Sequence, residues 1–332
     1  MQIWESRYTI PIKLGGSPLD SLDAVILWDL GFDYQSPIHV TNRRPNLARI
    51  AAGLRINQKT VRARIRKLEE KGFIRYYQAY PNVAAAGLKA SSYLFLLKDP
   101  AKKRDALGKL KLIKEILRID ECMNSLRVTI VYESAMDLDR ILDLAGVLTN
   151  SEPVKLYDFQ LPKVKQQRLP ETEWKIIKSL RYDALKSSKK IAEELGLTPR
   201  AINYHLEKLV RDRSYFVAPV FDMKNVSGTI LYGLMFRIEN SKWCDAIEEI
   251  KETFRENSFC RVIDPSLRNA MFMMFTTRMS EAEENYMKAR AIEGVTDVQM
   301  DFIKGTHDCS GRIDAWLDEQ IAAKKKIQEI VA

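Results

Sequence analysis

Apolar residues recur at three- and four-residue intervals early in the chain, and the same pattern returns after residue 170. Each set opens with an apolar stripe, formed by Val25, Ile26, Trp28 and Leu30 in the first and by Trp174, Ile176, Ile177 and Leu180 in the second. Spacing of this kind predicts an α-helix with one buried face. A short second helix is predicted in "NLARIAAGL" and in "SSKKIAEELG", and a turn of about three residues follows each of them.

A third helix is predicted after each turn. Asn57 begins the first, and Thr198 followed by Pro199 begins the second, because these residue types favour helix N-termini. The predicted buried stripes are Val61, Ile65 and Leu68 in one helix and Ile202, Leu206 and Leu209 in the other. The next segments, "FIRYYQAYP" and "YFVAPVFDM", are rich in aromatic and β-branched residues and are predicted to be wing strands. Three helices and a wing are typical of a winged helix-turn-helix, whose third helix reads DNA.

These parallels belong to a longer internal repeat. The segment "IAAGLRINQKTVRARIRKLEEKGFI" from Ile50 aligns with "IAEELGLTPRAINYHLEKLVRDRSY" from Ile191 at a shift of 141 residues. The same shift brings "SLR" at 125–127 onto "SLR" at 266–268. Because one register is kept over this distance, we predict two copies of one unit, near residues 17–165 and 166–304.

After each winged module, strands and helices alternate in the order βαββαβ, which predicts a ferredoxin-like domain. The first helix of the first such domain is predicted over 101–117. The predicted fold class is therefore α+β, with two winged helix-turn-helix domains alternating with two ferredoxin-like domains. The predicted boundaries are 17–83 and 166–225 for the winged domains, 87–165 and 228–304 for the ferredoxin-like domains, and 310–332 for a C-terminal amphipathic helix. We expect that helix to pack on the second ferredoxin-like domain or against a second chain.

The positive charge of the chain is concentrated in one segment. The 332 residues carry a formal net charge of +9, and between residues 43 and 75 eleven lysines and arginines stand against two acidic residues. The rest of the chain is therefore close to neutral. A local excess of this kind indicates an anionic partner. Cations and amides on the outward side of a recognition helix can contact phosphates and base edges in the major groove.

Double-stranded DNA is the predicted partner, read mainly by the first copy. The predicted contacts of the first module are Arg43, Arg44, Gln58, Lys59, Arg62, Arg66, Lys67 and Arg75. The second module has a weaker positive excess, and its predicted contacts are Arg200, Asn203 and Tyr204. The alternative is a solvated helix face. Such faces usually place an acidic residue four positions from each cation, and no acidic residue precedes Glu69 in the first recognition helix.

Three segments carry a resemblance to a known family: "LDAVIL", "RKLEEKGFI" and Gly87 with Leu88. With the order of elements, they make each copy resemble the Lrp/AsnC family of bacterial and archaeal transcription regulators. The resemblance implies a DNA-binding regulator whose sheet domains pair. Family members usually carry one unit per chain, so the duplication implies an internal pseudo-dimer, alone or within a homodimer, and an asymmetric DNA site.

Many members also carry a Gly-x-x-Asp-like turn between the second and third sheet-domain strands, and this turn is associated with small-molecule effectors. The chain has "MNSLR" and "DPSLR" in the corresponding places. Arg127 and Arg268 are candidates for holding an anionic effector there. Exposed turn residues are the commoner explanation of such positions.

Two other functions fit the same pattern. The two-unit architecture also resembles siroheme decarboxylases, and a fold by itself does not decide between a regulator and an enzyme. Those enzymes are expected to carry a histidine- and tyrosine-rich stretch, whereas "ECMNSLRVTIVY" and "DPSLRNAMFMMF" contain no histidine. The other alternative is an architectural DNA-binding protein with weak sequence preference.

We therefore predict a protein that is not an enzyme and has no cofactor. Four scattered cysteines and three histidines do not indicate a metal site. The apolar runs are too short for a membrane helix, so we expect a cytoplasmic, nucleoid-associated protein without a membrane partner.

Overall fold

A computed structural model describes residues 19–30, 46–159, 161, 163–164, 169–222, 228–309 and 311–331. The first copy contains α1 (Ser21–Asp29), α2 (Leu47–Leu54), α3 (Gln58–Glu70), β1 (Ile74–Pro81), β2 (Lys89–Leu96), α4 (Pro100–Leu110), β3 (Ile116–Cys122), β4 (Ser125–Tyr132), α5 (Ala135–Thr149) and β5 (Val154–Asp158). The second contains α6 (Glu171–Ser179), α7 (Ser188–Leu195), α8 (Pro199–Arg211), β6 (Tyr215–Phe221), β7 (Ile230–Ile238), α9 (Trp243–Thr253), β8 (Ser258–Asp264), β9 (Asn269–Thr276), α10 (Met279–Ala291) and β10 (Val295–Asp308), and α11 (Gly311–Val331) follows. None of the described helices is long and apolar enough to cross a membrane.

The recognition helices α3 and α8 begin where the sequence predicts. The side chain of Asn57 accepts a hydrogen bond from the backbone N–H of Lys59, and that of Thr198 accepts one from Ala201. Pro199 occupies the first turn of α8. Both predicted N-caps are therefore confirmed. Both predicted apolar stripes are buried, which confirms the core-facing sides of the two helices.

Each ferredoxin-like domain is an antiparallel four-stranded sheet with two helices. The strand order is β5-β2-β4-β3 in the first copy and β10-β7-β9-β8 in the second. With the two winged modules, these sheets confirm the α+β class. The prediction of one helix over 101–117 is wrong at its end, because α4 stops at Leu110 and β3 begins at Ile116. A turn after Leu110 directs Ile113 and Ile116 into the core, where both are buried.

One long strand joins the two sheets. β10 has 14 residues, and its N-terminal part pairs with β7 of its own copy. Its C-terminal part, from Ile303 to Asp308, pairs with β3 of the first copy, so the eight strands form one continuous antiparallel sheet. The sheet curves until β5 meets β8, where the backbone N–H of Asp158 donates to Asp264 Oδ2 at 2.8 Å.

The two halves of this sheet have different surroundings on their two faces. On the outer faces, α4 and α5 cover the first half, and α9 and α10 cover the second. The inner faces of the two halves oppose each other. They contribute Leu94, Leu156, Met271 and Met273 to a core that also includes both winged modules. The two copies therefore share one interior.

The wing strands pair across the copies. β1 and β6 form a separate two-stranded antiparallel sheet, with Tyr77 opposite Pro219 and Gln78 opposite Ala218. In the sequence repeat, Tyr77 corresponds to Ala218 and Gln78 to Pro219. The pairing is therefore symmetric and relates the two modules by a pseudo-two-fold axis. The sequence predicts one wing per module, whereas the described strands form one ribbon that both modules share.

Aromatic side chains fix this ribbon to the sheet. Phe73, just before β1, stacks on Phe221 of β6 with ring centroids 5.0 Å apart. The same ring meets Phe259 of β8 edge-on at 6.0 Å. Phe73 thus joins the first winged module to a wing strand and a sheet strand of the second copy.

The C-terminal helix α11 packs on the second winged module, so the expected packing on the second ferredoxin-like domain is wrong. Trp316 lies edge-on to Trp174 of α6 at 5.3 Å between centroids. Arg181 donates to Asp314 Oδ1 at 2.9 Å. The physical reason is the length of β10. This strand runs past its own domain along β3, so α11 starts beside the first copy, where Arg312 bonds to the carbonyl of Lys111.

Replacing Phe73 by alanine should destabilise the junction between the copies. The side chain is 1% exposed, and we expect its loss to lower the free energy of unfolding by about 3–5 kcal/mol. The matched control is Leu112→Ala, because Leu112 is 81% exposed and its truncation should cost less than about 0.5 kcal/mol. Urea unfolding followed by tryptophan fluorescence gives both values. Equal, small losses would contradict the packing of Phe73 described above.

Candidate functional site

The outward face of α3 carries exposed polar and basic side chains. Gln58, Lys59 and Arg62 are exposed in its first half. Among the described residues, no acidic group lies within ion-pair distance of Lys59 or Arg62. Arg66 is also exposed, but its Nε lies 2.8 Å from Glu70 Oε1. One cation of this face therefore does pair with an acidic residue four positions later, although no acidic residue precedes Glu69 in the helix.

The adjacent flank of α3 is turned toward α1. The guanidinium of Arg64 pairs with Asp20 and lies 3.2 Å from Asp23 Oδ1, and the ammonium of Lys67 lies 3.9 Å from Asp23 Oδ2. Asp23 is fully buried. Burial raises the pKa of Asp20, but hydrogen bonds from Asp23 N–H and Arg64 outweigh this and hold that pKa below its usual value. Lys67 therefore lies at the edge of the outward face, half-buried, where the buried carboxylate of Asp23 attracts it.

The second module repeats this arrangement with different residues. Glu173 of α6 is buried and corresponds to Asp23. Lys208 Nζ lies 2.7 Å from Glu173 Oε1, and His205 Nδ1 lies 3.3 Å from the same atom. Each recognition helix is thus held against the first helix of its module by two basic side chains around one buried acid. His205 belongs to this cluster and is half-buried.

The predicted contacts of α8 are on its outward face. Arg200, Asn203 and Tyr204 are exposed, and Tyr204 retains 63% of its accessible surface. The side chain of Asn203 bonds to Ser188 Oγ of α7. Glu207 is exposed beside them. At three matching exposed positions, α3 has Lys59, Arg62 and Arg66 and α8 has Arg200, Asn203 and Glu207. α8 therefore presents two fewer cations and one more acid at these positions.

Arg75, Arg43 and Arg44 complete the predicted contacts of the first module. Arg75 is exposed on β1. Arg43 and Arg44 lie outside the described residues. The structure thus brings Gln58, Lys59, Arg62 and Arg66 onto one face, with Lys67 at its edge and Arg75 on the neighbouring strand.

A cavity of about 170 Å³ lies between the inner faces of the sheet and beneath the shared wing ribbon. Most of its wall is apolar and aromatic. One polar cluster enters it, made of Arg118, Asp120 and Arg127 of the first copy and Thr306 of β10. The sequence does not reveal this cavity, because it forms only where the two copies meet.

Arg127 is buried in this cluster, so the explanation of Arg127 as an exposed turn residue is wrong. The side chain is 6% exposed, and its Nε and Nη2 donate to Asp120 Oδ2 at 2.9 and 2.6 Å. Asp120 Oδ1 accepts from Arg118 and from Thr306. Burial by itself would raise the pKa of Asp120, but the two arginines outweigh it and hold that pKa well below its usual range. The ion pair is therefore charged at neutral pH.

Arg268 is not the structural counterpart of Arg127, although both end an "SLR" segment. It lies in the turn before β9 with φ at 54°, and its guanidinium is 5.3 Å from the ring centre of Trp243. In the first copy Leu94 pairs with Arg127, and in the second Met235, which corresponds to Leu94, pairs with Met271. The counterpart of Arg127 is therefore Met271, three residues beyond Arg268, and the structure does not bring Arg268 into the cavity.

The buried pair of Asp120 and Arg127 generates a prediction about stability. Asp120→Asn leaves Arg127 buried without its counter-charge, and we expect a loss of about 3–5 kcal/mol in the free energy of unfolding. The double variant Asp120→Val with Arg127→Met should lose much less. It gives the first copy the apolar pair that Val262 and Met271 form in the second.

The pH dependence of the free energy of unfolding further distinguishes the wild type from the double variant. Because the pKa of Asp120 is depressed in the folded state, its stabilising contribution is complete above about pH 5 and declines as the pH falls below the unfolded value of about 4. The difference in unfolding free energy between wild type and double variant should therefore shift against the wild type between pH 5 and pH 3. A pH-independent difference, or a double variant as unstable as the single one, would contradict the buried ion pair.

Comparison with known proteins gives two similarities in sequence. Residues 169–213 match the winged helix-turn-helix DNA-binding family, and the match covers the three helices of the second module. The HTH-type transcriptional regulator Ptr1 of Methanocaldococcus jannaschii is 35% identical over 78 residues, which are 24% of this chain and 53% of that regulator. The chain thus matches about half the length of this relative.

The whole chain is similar in structure to the siroheme decarboxylase NirDL. The crystal structure of that protein aligns with 92% of this chain and 100% of its own, at 16% identity and a TM-score of 0.52, which shows a shared fold. The structure of E. coli AsnC aligns with 41% of this chain and 92% of its own, at 11% identity and a TM-score of 0.34, too low to support an argument. These findings show that the chain shares the fold of NirDL, whose architecture fits the tandem duplication, and that its second module is similar to winged helix-turn-helix DNA-binding domains.

Proposed function

We propose that the protein is a sequence-specific double-stranded DNA-binding transcription regulator that reads the major groove mainly with α3. The observation that carries this proposal is the exposed N-terminal half of α3. Lys59 and Arg62 have no acidic partner among the described residues, and Gln58 lies at the helix end that enters the major groove in helix-turn-helix proteins. The similarity to the regulator Ptr1 and the DNA-binding family of the second module support the same function.

The chemistry of this face suits both parts of DNA recognition. Arg62 can donate two hydrogen bonds to a guanine. Gln58 can make two hydrogen bonds with an adenine, donating one to N7 and accepting one from the N6 amino group. Arg66 and Arg75 are placed farther along α3 and on β1, where phosphate contacts would orient the module. Glu70 competes for Arg66, but this exposed pair is worth little in water and yields readily to a phosphate.

The two modules differ enough to require unlike half-sites. The pseudo-two-fold pairing of β1 with β6 arranges α3 and α8 as two recognition helices of one chain. α8 offers Arg200, Asn203 and Tyr204 with Glu207 nearby, so its affinity for the phosphate backbone is lower. We expect an asymmetric site in which α3 supplies most of the binding free energy and α8 adds selectivity.

The likeness to NirDL over the whole chain favours a second candidate, a siroheme-decarboxylase-like enzyme. The residues that line the described inter-sheet cavity include no histidine, and the cavity volume of about 170 Å³ is small for a tetrapyrrole. Absorbance titration with iron-uroporphyrin III tests this candidate. A shifted Soret band with saturable one-to-one binding, followed by release of carbon dioxide from a siroheme substrate, would replace the regulator with the enzyme.

Duplex-DNA binding over a salt series tests the regulator directly. Fluorescence anisotropy with a site selected from random duplexes should give a steep salt dependence for the wild type. Arg62→Ala with Arg66→Ala should weaken binding by about 2 kcal/mol or more and lower the salt slope by roughly 2, because each phosphate contact releases about one counterion. Both side chains are exposed, so circular dichroism should show an unchanged fold.

The matched control is Arg200→Ala with Asn203→Ala in the second module, for which we expect a smaller loss. Equal losses would contradict the dominance of α3. An affinity for random duplexes close to that for the selected site would indicate an architectural protein, since regulators usually discriminate by about a thousandfold or more. No binding at any salt concentration would reject DNA as the partner.

A further inference from the structure

The inter-sheet cavity contains a buried guanidinium that is only partly satisfied. Arg127 directs Nε and Nη2 to Asp120, whereas its Nη1 contacts the sulfur of Met271 at 2.6 Å and lies 3.8 Å from that of Met273. Asp120 supplies the only oxygen acceptor for Arg127 among the described residues. A thioether is a weak acceptor, and buried charged donors normally find oxygen partners. One edge of Arg127, which lines the cavity, therefore meets only thioethers, and an anion that displaced the flexible side chain of Met271 would be a much stronger acceptor.

The rest of the wall limits what that anion can be. The wing strands contribute Tyr80, Phe216 and Phe221, and the sheet contributes Tyr157 and Phe259. These rings suit a flat or branched apolar body rather than an inorganic ion. A cavity of about 150 Å³ lined by apolar side chains holds one benzene ring. The volume here is about 170 Å³, so one ring and one small acidic group fill it.

The second copy shows that the charge is not needed by the fold. At the equivalent positions, Val262 and Met271 form an apolar pair on the opposite inner face. A buried ion pair is usually no more stabilising than well-packed apolar residues of similar volume. The first copy therefore carries a polar cluster in a place where the same architecture works without one.

We propose that this cavity binds a small monocarboxylate with a single aromatic or branched apolar body, whose carboxylate accepts hydrogen bonds from Arg127 Nη1. The apolar body lies against the rings of the wing strands. Thr129 and Thr306, which line the same cavity, are within the polar end of the site. The ligand is recognised by the buried guanidinium and by the size of the cavity, and no part of this recognition depends on DNA.

The experiment uses the full chain and phenylacetate as the probe, with phenylacetamide as its neutral counterpart of equal shape. Isothermal titration calorimetry should show saturable one-to-one binding of phenylacetate. Phenylacetamide should bind roughly tenfold or more weakly, because a hydrogen bond to a charged partner is lost. Equal affinities for the two compounds, or no binding of phenylacetate at any concentration tested, would overturn the proposal.

Three variants locate the site. The double variant Asp120→Val with Arg127→Met removes the charge by introducing the residue types found in the second copy. It should lose the preference for phenylacetate over phenylacetamide. Val262→Phe keeps Arg127 but fills the cavity, and it should abolish binding of both compounds. Arg268→Met is the matched control, since this arginine lies outside the cavity, and it should bind phenylacetate as the wild type does.

Each outcome decides the proposal. Retention of phenylacetate binding by Val262→Phe would place the ligand elsewhere, and retention of the carboxylate preference by the double variant would remove Arg127 from the site. Thermal unfolding of each variant without ligand confirms that it is folded before titration. Because no DNA is present, failure here leaves the regulator proposal intact, and loss of DNA binding leaves this one intact.

Discussion

The pairing of strands between the two copies is the constraint on which the rest of the structure depends. β1 pairs with β6, and the C-terminal part of β10 pairs with β3, so the backbone groups of these edges are satisfied by the other copy. Unpaired edges and exposed inner faces would otherwise remain in each unit. Antiparallel pairing also carries a local two-fold symmetry. It therefore fixes the relation of the two recognition helices and creates the shared interior at the same time.

The same symmetry makes the differences between the copies informative. Buried acids hold both recognition helices, Asp23 in one module and Glu173 in the other, so this contact belongs to the scaffold. The outward faces of α3 and α8 differ in charge. The inner faces differ too, since an ion pair in the first copy faces an apolar pair in the second. Duplication within one chain allows each copy to change alone, which a homodimer of identical units does not permit.

Much of the architecture follows from local sequence. The caps at Asn57 and Thr198, the buried stripes of α3 and α8, and the βαββαβ order depend on residues close together in the chain, and each was predicted. The register of the long repeat was sufficient to predict two copies. The error in the predicted end of α4 has a local cause as well. The segment "LKLIKEIL" has apolar residues at helical spacing, but its last residues belong to strand β3.

The elements, their duplication and the basic face of α3 can be predicted from local sequence, because helix caps, periodicity and charge act within a few residues. The partners of those elements depend on the tertiary structure. The tertiary structure brings Lys67 close to Asp23 and packs α11 on α6. It also offsets the second "SLR" by three residues from its structural counterpart, so that Met271 and not Arg268 lines the cavity. It also made Arg127 a buried group. These outcomes depend on residues that are far apart in the chain meeting in space, and burial and pairing at such distances leave no local signature in the sequence.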